Sequence, residues 1–137
     1  MPFHDVDALR LVWHGHYYKY LELARTALLR DCRLDTGDLR GLGFGMLMIE
    51  SRCRHLAPLR YGDIACVSAW FRDVKHRIRI AYEIVRTSDH VRVARAETTL
   101  VTLTRGGDLL LETPEVIRRR LLTGTPTRLD AGQAPSP

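Results

Sequence analysis

Between residues 16 and 31 the polar side chains fall on one thin line. Lys19, Glu22, Thr26 and Arg30 are spaced by three, four and four residues, which stacks them on a single stripe of an α-helix. Tyr17, Tyr18, Tyr20, Leu21, Leu23, Ala24, Ala27, Leu28 and Leu29 occupy nearly all the remaining surface. A helix lying on a protein surface carries a broader polar face. The pattern therefore predicts a helix over 16–31 that is largely engulfed, as it would be inside a curved sheet.

Past this helix the composition changes before the period does. Residues 33–45 hold Asp35-Thr36-Gly37-Asp38 and three further glycines, and read as a loop. From there the spacing becomes two. A strand is predicted over 46–56, where Arg52 and Arg54 alternate with Cys53. Ala57-Pro58-Leu59-Arg60-Tyr61-Gly62-Asp63 ends it, since proline has no place in a central strand. The next strand, 64–72, is apolar on both faces and so is expected in the sheet interior. Residues 76–86 set Ile78, Ile80, Tyr82 and Ile84 against Arg77, Arg79 and Glu83, which marks a strand with one wet face.

A turn at Thr87-Ser88-Asp89-His90 leads into a long strand over 91–104, whose Ala94 and Ala96 leave room for a helix to approach. Gly106-Gly107-Asp108 is another turn. Thr113-Pro114-Glu115 reads as a helix start, with Thr113 as N-cap and Pro114 in the first helical position, and the helix runs to about 122. Residues 123–137 contain three of the six prolines and little that is apolar, and are expected to be a disordered tail. The order is one helix, four antiparallel strands and a closing helix, an α+β plan. A fifth, opening strand would have to come from residues 1–4. No internal repeat is apparent.

At 137 residues, with 45% hydrophobic and 27% charged side chains, the chain suits a single globular domain over 1–122. No apolar run nears the length of about 20 residues that spans a bilayer. Met1-Pro2-Phe3-His4-Asp5 has neither the basic nor the apolar region of a signal peptide, so a cytoplasmic protein without a membrane partner is expected. Cys32, Cys53 and Cys66 are odd in number and widely spaced, which favours buried thiols over a disulfide framework or a zinc knuckle. The net charge of +5 suits an anionic partner. The basic residues are scattered, however. Only Arg118-Arg119-Arg120 is contiguous, with no aromatic residue interleaved, so nucleic acid is not expected.

Most of the reactive side chains lie just ahead of the first helix. Asp5, Asp7, His14, His16, Tyr17 and Tyr18 supply two carboxylates, two imidazoles and two phenols within one short stretch. A base or nucleophile beside the free N–H groups of a helix N-terminus is what acyl transfer needs, because those N–H groups and the helix dipole favour developing negative charge. The same residues have plainer readings: Asp7 as a turn or cap aspartate, Asp5 as a solvated carboxylate, His14 as a packed histidine. His14-x-His16 with His4 could ligate zinc, but a catalytic site needs three ligands and an open position, and no credible set presents itself. No metal and no other cofactor is expected.

Taken together, these pieces resemble the small hotdog-fold acyl-CoA thioesterases of the 4-hydroxybenzoyl-CoA thioesterase type. Asp5-Val6-Asp7-Ala8, Val12-Trp13-His14 with Tyr17, Glu22 with Ala24-Arg25, and the Pro58-x-Arg60-x-Gly62-Asp63 turn all match that family's pattern and spacing. The resemblance implies a hotdog fold, an antiparallel sheet of about five strands wrapped around one long central helix. It implies Asp7 as catalytic nucleophile or general base, and His14 as the donor of a backbone N–H to the thioester carbonyl. It also places Trp13 and Tyr17 with the substrate. Leu9 and Arg10 stand where the family has glycine, which alters the loop that approaches the ligand. A second hotdog lineage carries its carboxylate on the helix, where Glu22 lies, although Lys19 and Arg25 make Glu22 a natural ion-pair partner.

The substrate implied is an acyl-CoA or an acyl-carrier-protein thioester. Lys75 and Arg77 of the hairpin between strands 64–72 and 76–86 are candidates for its phosphates. Two or four copies would join edge to edge, as a homodimer or homotetramer with sites at the interface, which hides the open edges of the sheet. A non-catalytic acyl-binding or scaffold protein on the same fold is the alternative. A binding module has no use for a carboxylate at the oxyanion site.

Overall fold

The computed structural model describes residues 14–59 and 62–133, with 14–18 and 130–133 described as backbone alone. The first helix, α1 (His14–Asp31), contains no proline and no interior glycine beyond its first turn. Tyr20, Leu21, Ala24 and Leu28 are buried, at the spacing that gives one face of a helix, and α1 packs on the sheet. Its end is a left-handed cap made without glycine. Arg33 takes φ 60, Leu34 N–H reaches the Leu29 carbonyl at 2.9 Å, and Arg33 N–H reaches Arg30 at 2.9 Å. The guanidinium of Arg120 donates to the Arg33 carbonyl at 2.6 Å and ties down this unusual residue.

The α1 surface is less enclosed than its sequence predicts. Lys19, Glu22, Thr26 and Arg30 are exposed as expected, but Leu23 joins them with 52% of its surface open. The sheet wraps one side of the helix and leaves a wider outer face.

Residues 36–42, expected within a loop, form α2 (Thr36–Leu42). Asp35 Oδ1 accepts from Asp38 N–H at 2.8 Å and Asp38 Oδ2 from Asp35 N–H at 3.4 Å, a reciprocal capping box. Gly43, at φ 85, closes the C-terminus, where a side chain would be strained.

The sheet holds β1 (Phe44–His55), β2 (Ile64–Asp73), β3 (Ile78–Arg86), β4 (Val91–Thr104) and β5 (Thr127–Gln133). Its order is β1-β4-β3-β2-β5 and every pairing is antiparallel. Residues 127–133, expected as disordered tail, therefore supply the fifth strand. The expected opening strand at 1–4 lies outside the described residues. β2 is interior as predicted, because β5 covers its second edge: Ala69 pairs with Thr127 and Val67 with Leu129.

The registers align Ile84 with Val67 and Ala94, and Tyr82 with Ala69 and Ala96, on the face towards α1. The Tyr82 hydroxyl bonds Thr98 Oγ1 at 2.7 Å within this core. The opposite face is charged. Arg92 pairs Glu83 at 2.8 Å, Arg52 pairs Glu50 at 3.2 Å and Arg72 pairs Glu97 at 3.4 Å, while Arg54 stands directly across from Arg95.

The closing helix α3 (Glu115–Leu122) begins one residue later than its sequence suggests. Pro114, extended at φ −55 and ψ 146, is the cap residue and no side chain caps it. Thr113 is buried, its N–H is drawn to the Lys75 carbonyl at 2.9 Å, and its hydroxyl has no partner among the described residues. Ile117 and Leu121 bury the inner face of α3. No helix among the described residues is long and apolar enough to cross a membrane.

Two glycines test this packing in opposite directions. A Cβ on Gly124 would stand 2.7 Å from Cys32 Sγ and 3.0 Å from both Phe71 Cε2 and the Leu121 carbonyl oxygen. Gly124→Ala is expected to destabilise by about 1–3 kcal/mol, the usual cost of overpacking. Gly41 lies inside α2 with open space around its Cβ position, and Gly41→Ala should stabilise by about 0.5–1 kcal/mol. Denaturant unfolding at one fixed protein concentration checks both; equal midpoints for the two variants would contradict the packing described.

Candidate functional site

The chemistry-bearing segment of the sequence meets the fold at the start of α1. His14 is the first residue of that helix. Its backbone N–H is one of the first four, which have no acceptor within an α-helix. No acidic residue lies in the first turn to neutralise the dipole there. Tyr17 follows in the same turn. Asp5, Asp7 and Trp13 lie outside the described residues, as do the side chains of His14, His16 and Tyr17, and with them the zinc set considered above.

The direction of α1 fixes what can come near this end. Cys32 and Phe71 both crowd Gly124, so the C-terminus of α1 sits by the end of β2. Its N-terminus then points to where β2 begins, beside the 57–63 turn. The described residues on either side of positions 60 and 61 are held in place. Leu59 is buried, the Pro58 carbonyl accepts from Arg86 Nη1 at 2.6 Å, and Gly62 adopts φ 89. Arg86 also clamps Asp89 through two nitrogens, and this contact holds the Asp89 carboxyl below the usual carboxylate range. Arg60 and Tyr61 lie outside the described residues.

Lys75 and Arg77 sit at the opposite end. The Asp73 carboxylate accepts from Lys75 N–H at 3.1 Å, and the Lys75 carbonyl accepts from Thr113. Lys75 also borders a 480 Å³ pocket with Trp70, Arg72 and Gly124. Arg77 is exposed in the hairpin. The 18 residues of α1 span about 27 Å at 1.5 Å each. Within one chain, Lys75 and Arg77 lie towards the C-terminal end of α1, the end remote from His14. Glu22 is exposed on the outer face of α1, away from the sheet.

A larger concavity, missed from sequence, opens beside the second half of α1. It measures about 770 Å³ and is bounded by α1, α2, the first half of β1 and the end of β4. Leu29, Leu34, Leu39, Phe44, Met46 and Leu100 give it an apolar floor; Arg25, Arg40 and Arg105 stand around it. The helix α2 that forms one wall lies in the segment read as loop, so the cleft had no visible wall. The signal that was available is the Asp35-x-x-Asp38 spacing ahead of Gly43.

The cysteines carry no chemistry here. Cys32 and Cys66 are buried and Cys53 half-buried, all as free thiols. Burial raises the Cys53 thiol above its ordinary range, and burial together with nearby Asp31 raises Cys32, so both are held protonated.

Residues 1–121 match the thioesterase-like superfamily. A Synechocystis protein provisionally named an esterase is 28% identical over 121 residues, covering 87% of this chain and 73% of its own. Among solved structures, a Thermus thermophilus thioesterase complexed with coenzyme A and zinc superposes with a TM-score of 0.68 at 23% identity, over 90% of this chain and 88% of that one. A 1,4-dihydroxy-2-naphthoyl-CoA thioesterase of Synechocystis gives 0.67 at 19%, over 86% and 88%. Helix, antiparallel sheet and sequence match agree. The chain belongs to the thioesterase-like superfamily and is a hotdog-fold hydrolase of thioesters.

Proposed function

We propose that this enzyme hydrolyses acyl-CoA or acyl-carrier-protein thioesters, with the Asp7 carboxylate as nucleophile or general base and the N-terminus of α1 as oxyanion site. One observation carries this reading: α1 begins at His14, seven positions after Asp7 in the sequence, and its own first turn holds no acidic residue to offset the free N–H groups. A carboxylate that attacks the carbonyl, or activates a water to do so, drives charge onto the carbonyl oxygen. Donors at a helix end stabilise that charge as the C–S bond breaks; water supplies the hydroxyl of the acid and the proton of the thiol, either in that step or in hydrolysing the acyl–Asp7 anhydride that direct attack forms. Trp13 and Tyr17, on either side of His14, then contact the acyl or pantetheine portion.

The site is proposed to be shared between subunits. β1 is an edge strand, and near its middle Leu47, Met48 and Ile49 keep 47%, 44% and 42% of their surfaces open. An apolar edge of this kind is covered in a stable protein. Antiparallel pairing of β1 with its copy about that midpoint sets the Phe44–Met48 end against the partner's His55 end. The large cleft of one subunit then lies towards the start of α1 in the other. In that arrangement the separation of Lys75 and Arg77 from His14 within one chain ceases to matter, because coenzyme phosphates can be met by either subunit.

Three outcomes are expected. Asp7→Asn should keep the fold and lower kcat by about a hundredfold or more, with Asp5→Asn costing much less; hydrolysis near the wild-type rate by Asp7→Asn would sink the assignment. Activity should survive dialysis against EDTA, and a loss restored by Zn²⁺ would transfer the chemistry to the histidines. Light scattering on a dilution series, run beside specific activity, should show a dimer or tetramer whose activity falls as it dissociates. A fully active monomer would overturn the shared site and turn attention to Glu22.

A further inference from the structure

We infer that the cleft selects acyl groups bearing a carboxylate remote from the thioester, with Arg25 as the residue that meets it; this rests on the thioesterase reading above. Arg25 projects from α1 and is half-buried. Its neighbours are neutral: Nη1 lies 3.5 Å from Met48 Sδ, and the Tyr82 hydroxyl, itself bonded to Thr98, stands close by. Among the described residues Arg25 forms no ion pair, and neither do Arg40 and Arg105, which are exposed at the rim. The one carboxylate on the lining, Asp35, is engaged in capping α2.

A guanidinium withdrawn from water against apolar walls is unfavourable unless an anion joins it. Arg25, half-buried beside the apolar floor and without an ion pair among the described residues, leaves that anion to the ligand. The volume of about 770 Å³ lies within the range of small-molecule sites. The apolar floor suits a hydrocarbon or aromatic stretch, and Arg25 beside it suits a planar carboxylate bound through two nitrogens. Coenzyme phosphates, multiply charged and strongly hydrated, suit exposed cations such as Lys75, Arg77, Arg40 and Arg105 rather than Arg25.

The test compares kcat/KM for two CoA thioesters of equal chain length, one ending in a methyl group and the other in a carboxylate. Wild-type enzyme is expected to favour the carboxylate form by about tenfold or more, the scale of one charge-assisted contact. In Arg25→Met, folded by circular dichroism, that ratio should fall to near one, and Arg25→Lys should recover part of it. Equal falls for both substrates, with the ratio kept, would overturn the inference. Calorimetric binding of the free dicarboxylic and monocarboxylic acids separates this idea from hydrolysis itself. Selective binding that Arg25→Met abolishes would support the cleft even if neither thioester were cleaved, whereas equal binding of both acids would refute it.

Discussion

One face of a five-stranded antiparallel sheet has to be covered, and a single helix does most of the covering. Tyr20, Leu21, Ala24 and Leu28 are set against Val67, Ala69, Ile80, Tyr82, Ile84 and Ala94. A slip of one residue in β3 would exchange this apolar set for Arg79 and Glu83 of the opposite face. Burial of α1 therefore fixes strand register, and register fixes everything else. It sets which way the helix runs, where its N-terminus lies and how far the β2–β3 hairpin is from it. Interior packing of this kind favours a single arrangement. Loops that carry reactive groups inherit their positions from it.

The strands were the most readable part of the sequence, for a physical reason. Alternation reports which face is wet, and Arg77, Arg79 and Glu83 set against Ile78, Ile80, Tyr82 and Ile84 mark β3; β4 runs over Val91–Thr104, the span expected of it. Helix α2 was obscured because Gly37 and Gly41 lower helix propensity, whereas the reciprocal Asp35–Asp38 cap offsets that loss. Strand β5 was obscured because composition describes a segment alone. Thr127, Arg128 and Leu129 become a strand only because the β2 edge offers them partners. Leu23 was read as enclosed because a stripe of polar residues marks what faces water but not how far a sheet can reach around the other side.

The reactive segment was legible in another way. Asp7, His14 and the 58–63 turn stood out by their resemblance to a family, and the superfamily match over residues 1–121 supports that resemblance. The start of α1 at His14 agrees with it as geometry. The arginine-lined cleft had no such signature. Arg25, Arg40 and Arg105 are far apart in sequence and converge only because α2 folds back over the β1–β4 edge. Sites built from separate elements in this manner escape a linear reading, since no spacing rule connects their members.

The late strand β5 has a consequence for synthesis. Thr127 pairs with Ala69 and Gln133 with Ile64, partners that lie nearly half the chain apart. At about 5–20 residues per second, β2 leaves the ribosome several seconds before its edge partner exists. During that interval β3 can close one side, while the other presents a row of open hydrogen-bonding groups ending in the apolar Ile64. Strand pairing over so long a stretch of chain is also slow once both halves are present. Among the described strands, β2 thus keeps one edge without its partner until the last of them has emerged, and any need for a chaperone should be greatest in that interval.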